Sequence, residues 1–320
     1  MDSLTTILNP GVLFFLLGLA AVLLGSNLKI PDSVVKFLSL YLMLSIGFKG
    51  GVGLAHSSLF GDGLIIIAII IAMSAFVPLY TFALFNKRLG VADAAGIGAT
   101  YGSNSTLTYI TAAGFLTSIG ATYDGYMTVA LVVMETPAII IAVVMAQLKL
   151  KNKGARTTSV VIRECLTDGT LLVLVGSMGI GFLLTELGSE KSPLATFIAG
   201  DMFTGMLVFF LLYMGTVVGH RLRQIEEFPP VLLAYAVIAP VFNATLAILL
   251  SRFFGFQHGD AFLLTILCAS SSYIVAPAIL KDTLPEANPA KFLTMSMGIT
   301  FPLNIVIGIP AYWWAVQAFV

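Results

Sequence analysis

Between Gly63 and Phe85 the chain runs 23 residues without a charged side chain, and similar runs recur along most of its 320 residues. Segments so apolar belong where water is absent, and there every backbone N–H and C=O must find its partner inside the protein. A helix meets that demand within one segment, and roughly 20 apolar residues carry it across a bilayer. Composition agrees: 58% of residues are hydrophobic and 10% charged, against about a quarter charged in soluble domains. The strict alternation of a membrane barrel is missing. The expected class is an all-α membrane protein with many spans and short connections.

Ten apolar segments stand out. The first half holds Gly11 to Gly25, Val34 to Phe48, Gly63 to Phe85, an interrupted segment Ala92 to Leu116, and Tyr126 to Leu148. The second holds Thr170 to Leu184, Ala195 to Val218, Pro230 to Phe254, an interrupted segment Asp260 to Leu280, and Phe292 to Ala318. This gives a first five-helix repeat over 1–148, a cytoplasmic linker over 149–168 and a second repeat over 169–320. With five spans each, the halves insert upside down relative to one another. Basic residues support the arrangement: with the N-terminus outside, 13 of the 16 Lys and Arg fall on cytoplasmic loops and helix ends, leaving Lys49, Lys191 and Arg252 on the other face. Both termini are then expected outside the cytoplasm. The run Lys149 to Arg163 reads as a topology determinant rather than a lipid or nucleic-acid site. Net charge is zero, which gives no case for a nucleic-acid partner. Cys165 and Cys268 form no metal or redox motif and read as packing residues. The run from Gly11 lacks a basic leader and reads as a span, not a cleavable signal.

The two interruptions carry the functional information. Gly102-Ser103-Asn104-Ser105-Thr106 and Ser270-Ser271-Ser272 break apolar sequence at matching places. Each lies some ten residues beyond an acidic residue, Asp93 or Asp260, and some thirty before an intramembrane proline, Pro137 or Pro302. Polar, helix-breaking sequence at membrane depth is tolerated only where protein or a wet cavity satisfies the backbone, so a repeated break points to a transport site. A half-helix starting at such a break turns its free amides and positive dipole end toward the bilayer midplane, where a small anion can be held. The alternative for each break is close helix packing through small residues.

Glu135 sits inside an apolar span, where a carboxylate is costly and therefore functional by default. It reads as a sodium ligand, a proton carrier or a partner of Lys49, and Asn304 is its neutral counterpart in the other half. Asp93 and Asp260 read as caps of the helix N-termini where they stand, and Lys49 as closing its span and reaching for the interface. His56, His220 and His258 lack metal-ligand spacing. The sequons at Asn104 and Asn243 fall inside spans and are discounted.

Taken in order, Ile46-Gly47-x-x-Gly50-Gly51, Gly102-x-x-Ser105-Thr106, Met134-Glu135-x-Pro137, Ala269-Ser270-Ser271-Ser272, Pro277 and Leu284-Pro285-x-Ala287-Asn288-Pro289 resemble the sodium-dependent bicarbonate transporter family known from cyanobacteria. The resemblance implies five-plus-five inverted repeats, separate core and gate domains, broken helices 4 and 9 crossing at the anion site, a homotrimer in the inner cell membrane, and elevator-like alternating access. It places bicarbonate near Gly102, Ser103, Asn104, Ser105, Thr106, Ser270, Ser271 and Ser272. The coupling sodium would bind around Glu135 with Ser105, Ser272, Tyr273 and Asn304, and no other cofactor is implied. Such transporters also have a PII-like regulatory partner, although the central loop is short here. Two positions depart from the family pattern: Tyr273 and Glu135 each stand where it has an aspartate. Losing one carboxylate keeps open a proton- or sodium-coupled carrier of another small anion, such as a carboxylate. The absence of arginine at the breaks favours a small, weakly charged substrate. A passive channel and an intramembrane enzyme are the remaining classes, and the latter lacks any sequence-local base for Ser105 or Ser271.

Overall fold

The computed structural model describes residues 10–56, 59–150, 163, 169–188, 197–198, 200–222 and 228–320. The described residues form helices joined by short turns, with no strand among them. Among the described residues, each of the ten apolar segments is helical over most of its length. Single helices are α1 (Pro10–Leu23), α2 (Asp32–His56), α3 (Leu64–Phe85), α6 (Tyr126–Leu150), α7 (Gly169–Glu186), α8 (Asp201–Leu222) and α9 (Pro230–Phe254). The interrupted segments split into α4 (Val91–Gly102) with α5 (Thr106–Ser118), and α10 (His258–Ala269) with α11 (Val275–Thr283). The last helix, α12 (Pro289–Phe319), widens into π turns at Ser296–Thr300 and Asn304–Gly308, on either side of Pro302. A widened turn accommodates a proline ring that would otherwise strike the preceding turn. By length and composition α2, α3, α6, α8, α9 and α12 are each able to cross a membrane. Nearly all of the expected 149–168 linker lies outside the described residues, as do Cys165 and Lys191.

Two helical groups are evident from the packing. α1 lies against α8, α2 against α7, and α2 against α8; α3 to α6 pack among themselves and with α9 to α12. In the first group a Cβ on Gly47 or Gly51 of α2 would overlap the Leu174 or Met178 carbonyl of α7, and one on Gly18 of α1 would overlap the Leu212 carbonyl of α8. These backbones therefore approach more closely than any side chain permits. This close packing carries α2 to His56, beyond the Phe48 expected from hydropathy. Lys49 accordingly lies within the helix instead of closing it, with its ammonium 4.1 Å from the Phe203 ring centroid.

The second group shows internal correspondence. α3 packs on α4 and α6 as α9 packs on α10 and α12. α4 and α10 are both 12 residues long, beginning at 91 and 258 and ending at 102 and 269, a constant offset of 167. Twelve residues rise about 18 Å, little more than half the ~30 Å hydrocarbon core, so each stops near mid-depth of a spanning path.

Candidate functional site

α4 stops because Ser103 is extended (φ −87°, ψ 176°), and α10 stops because Ser270 takes the same conformation (φ −86°, ψ 173°). The following half-helices restart on serine side chains. Ser105 Oγ accepts from Thr108 N at 3.2 Å, capping α5, and Ser272 Oγ accepts from Ala276 N at 3.1 Å at the start of α11. Capping satisfies one of the free amides of each N-terminus and leaves others available.

The two breaks are bonded to one another. Ser105 N donates to Ser270 Oγ at 3.0 Å, and Ser272 N donates to Thr100 O at 2.8 Å. Neighbouring helices fix the crossing. Ser103 Oγ donates to Glu135 O at 3.2 Å and Asn104 Nδ2 to Leu131 O at 2.8 Å, both on α6. Tyr101 is hydrogen-bonded to Thr300 Oγ1 at 2.7 Å, and Thr300 Oγ1 lies 2.7 Å from Ala236 O, the carbonyl that Pro240 leaves without its helical donor. Gly102 permits the closest approach: a Cβ there would lie 2.6 Å from Pro78 Cδ and 2.8 Å from Ala138 Cβ.

A cavity of about 30 Å³ opens at the crossing, room for one or two water-sized groups. One wall is polar: Asn104, Ser105, Thr106, Glu135, Ser272 and Tyr273, with Leu107, Ile274 and Val275 completing the first turns of α5 and α11. The facing wall is apolar and comes from the other helical group, with Met43 of α2 and Leu171 and Leu174 of α7. Among the described residues five buried side-chain polar atoms have no hydrogen-bond partner, and four belong to the breaks: Thr100 Oγ1, Asn104 Oδ1, Ser271 Oγ and Tyr273 OH. Folded proteins leave few such atoms, and four of these five lie at or beside the crossing.

Of the residues expected at the site, Asn104, Ser105, Thr106, Glu135, Ser272 and Tyr273 line the cavity. Gly102, Ser103, Ser270 and Ser271 build the crossing behind it. Asn304 does not line it; its Nδ2 donates to Ala269 O at 2.8 Å and so fastens the end of α10. Asp93 and Asp260 also differ from expectation. Both lie in the first turn of their helices, but neither α4 nor α10 has a side-chain N-cap bond. Asp93 instead accepts from Asn288 N at 2.8 Å and pairs with Lys291, ahead of and within α12. Asp260 accepts from Asp124 N at 2.8 Å and from the Tyr126 hydroxyl, at the start of α6. Each half thereby latches the other. The apolar wall escaped sequence reasoning, because Met43, Leu171 and Leu174 look like any lipid-facing side chain.

A family model described as the Na⁺-dependent bicarbonate transporter superfamily matches residues 10–317. The chain belongs to that superfamily. It is a multi-pass membrane transporter. No curated protein sequence matches the transporter.

Proposed function

We propose that the transporter takes up bicarbonate, coupled to inward sodium movement, through ten spans arranged as two inverted repeats. The observation that carries this reading is the pair of equivalent helix breaks, bonded to each other, with both half-helix N-termini and unpartnered polar atoms meeting at one small cavity. Free amides and converging dipole ends stabilise an anion without a counter-charged arginine. Glu135 is the carboxylate on that cavity and supplies the cation site. The inverted repeat rests on the constant offset between α4 and α10, the matched backbone at Ser103 and Ser270, and the reciprocal latches of Asp93 and Asp260.

The group containing the breaks acts as the core, and α1, α2, α7 and α8 act as the gate. The core carries its polar wall past Met43, Leu171 and Leu174, which keep water from the ion during an elevator-like movement. One sodium ion moving down 100 mV supplies about 2.3 kcal/mol. The trimer and the PII-like regulator are carried by the family resemblance alone. Thermal unfolding of the purified protein tests the binding step. Bicarbonate should raise the melting temperature in sodium buffer and leave it unchanged in potassium buffer, since stabilisation follows occupancy and reaches about 2.7 kcal/mol at 100 times Kd. Equal shifts in the two buffers would separate anion binding from sodium.

A further inference from the structure

The cavity holds one donor and one acceptor that the fold leaves unused. Tyr273 is 6% exposed, its ring edge-on to Phe301 with 5.3 Å between centroids. Ser105 is the side chain within hydrogen-bonding reach of its hydroxyl, but Ser105 Oγ already accepts from Thr108 N at 3.2 Å and from Thr108 Oγ1 at 2.9 Å, so it can give a proton to the phenol oxygen and cannot take one. The phenolic O–H therefore has no acceptor among the described residues. Asn104 is 2% exposed and presents the complementary case. Leu131 O can only accept, so the amide nitrogen must face it, at 2.8 Å, and Oδ1 is left without a donor. Both side chains line the same cavity. A buried donor or acceptor left unmade is costly, and a bound molecule that satisfies both needs an oxygen to accept and an O–H to give.

We propose that Tyr273 and Asn104 form a specificity pair for a small monoanion carrying its own O–H. The Tyr273 hydroxyl donates to a charged oxygen of bicarbonate, and Asn104 Oδ1 accepts the bicarbonate proton without taking it. Formate and nitrate have similar size and the same charge but no donor. Nitrate brings a negative oxygen against Asn104 Oδ1, and formate leaves Oδ1 without a donor, so the site disfavours both. This pairing rests on the bicarbonate reading and adds to it the means of selection. It assigns Tyr273 to the anion, where the family pattern places a carboxylate.

Uptake of labelled bicarbonate into proteoliposomes, with unlabelled bicarbonate, formate or nitrate as competitor, tests the pair. Formate and nitrate should compete at least about tenfold more weakly than bicarbonate. Tyr273→Phe keeps the ring packing and should raise the KM for bicarbonate by about tenfold to a hundredfold, the worth of a hydrogen bond to a charged group. Asn104→Leu should bring the preference for bicarbonate over formate toward unity. Equal competition in the unsubstituted protein, or an unchanged KM in Tyr273→Phe, overturns the pairing while leaving bicarbonate transport standing. An Asn104→Leu protein that loses sodium affinity but keeps its anion preference would move Oδ1 to the cation and also overturn it. Absence of bicarbonate uptake in the unsubstituted protein would sink the transport reading and the pair together.

Discussion

Ser270 and Ser271 are adjacent, chemically identical and each 2% exposed, yet their hydroxyls have different work. Ser270 Oγ accepts from Ser105 N at 3.0 Å and donates to Leu267 O at 2.9 Å. Ser270→Ala strands a buried amide at the crossing, a loss of about 1–3 kcal/mol. Ser271 Oγ has no partner among the described residues, so Ser271→Ala deletes a polar atom that folding already leaves unsatisfied, and the change should stay within about 0.5 kcal/mol. In detergent solution the melting temperature of Ser270→Ala should fall by several degrees, whereas that of Ser271→Ala should move by no more than about 2 °C. Transport should follow the same order. Ser271 stands behind the cavity and not on its lining, so Ser271→Ala should leave the KM for the anion within about twofold, whereas Ser270→Ala, which strands an amide at the crossing, should raise it. Equal destabilisation by the two substitutions, or a larger loss in Ser271→Ala, would refute the division of these serines into one whose hydroxyl holds the crossing and one whose hydroxyl does not.

Further substitutions probe the scaffold and the cation site. Gly102→Ala forces a methyl against Pro78 and Ala138 and should lower stability by about 1–3 kcal/mol, seen as a lower melting temperature. The two latches should respond unequally. Asp93→Asn retains an acceptor for Asn288 N and loses a partly exposed ion pair with Lys291, about 0.5 kcal/mol; Tyr126→Phe removes a donor from Asp260, which is 1% exposed, and should cost about 1–3 kcal/mol. Chemical denaturation of the pair checks that order. Glu135→Gln should weaken sodium binding, seen as a higher sodium concentration for half-maximal uptake and as a smaller bicarbonate-induced rise in melting temperature in sodium buffer.

The breaks were readable because Gly and Ser are expensive inside an apolar run unless the backbone is satisfied elsewhere. Gly102 to Thr106 and Ser270 to Ser272 therefore announced both their location and their pairing. Glu135 was readable for the same reason, as a charge where lipid would not tolerate one. The aspartates were not, since a carboxylate in a first turn has the same sequence signature whether it caps its own helix or reaches into the other half. Asn304, expected at the ion, lies off the cavity lining for a related reason: in sequence a buried amide that serves as a ligand looks the same as one that clasps a carbonyl, as Asn304 does with Ala269 O. Hydropathy ended α2 at Phe48 because Gly47, Gly50, Gly51 and Gly53 dilute the apolar signal, yet Gly47 and Gly51 are the positions that admit the backbone of α7. Met43, Leu171 and Leu174 carry no distinguishing chemistry, and only their place on the same cavity as Glu135 and Tyr273 gives them a role.

Sodium-driven movement of bicarbonate is the step to measure directly. Labelled bicarbonate uptake into proteoliposomes should be compared under an inward sodium gradient and an equal inward potassium gradient, with pH and membrane potential held fixed. Accumulation above the equilibrium level with sodium alone, collapsing when the sodium gradient is dissipated, is the predicted result. Uptake that is equal in the two gradients and stops at equilibrium would contradict coupled transport and leave a passive anion path.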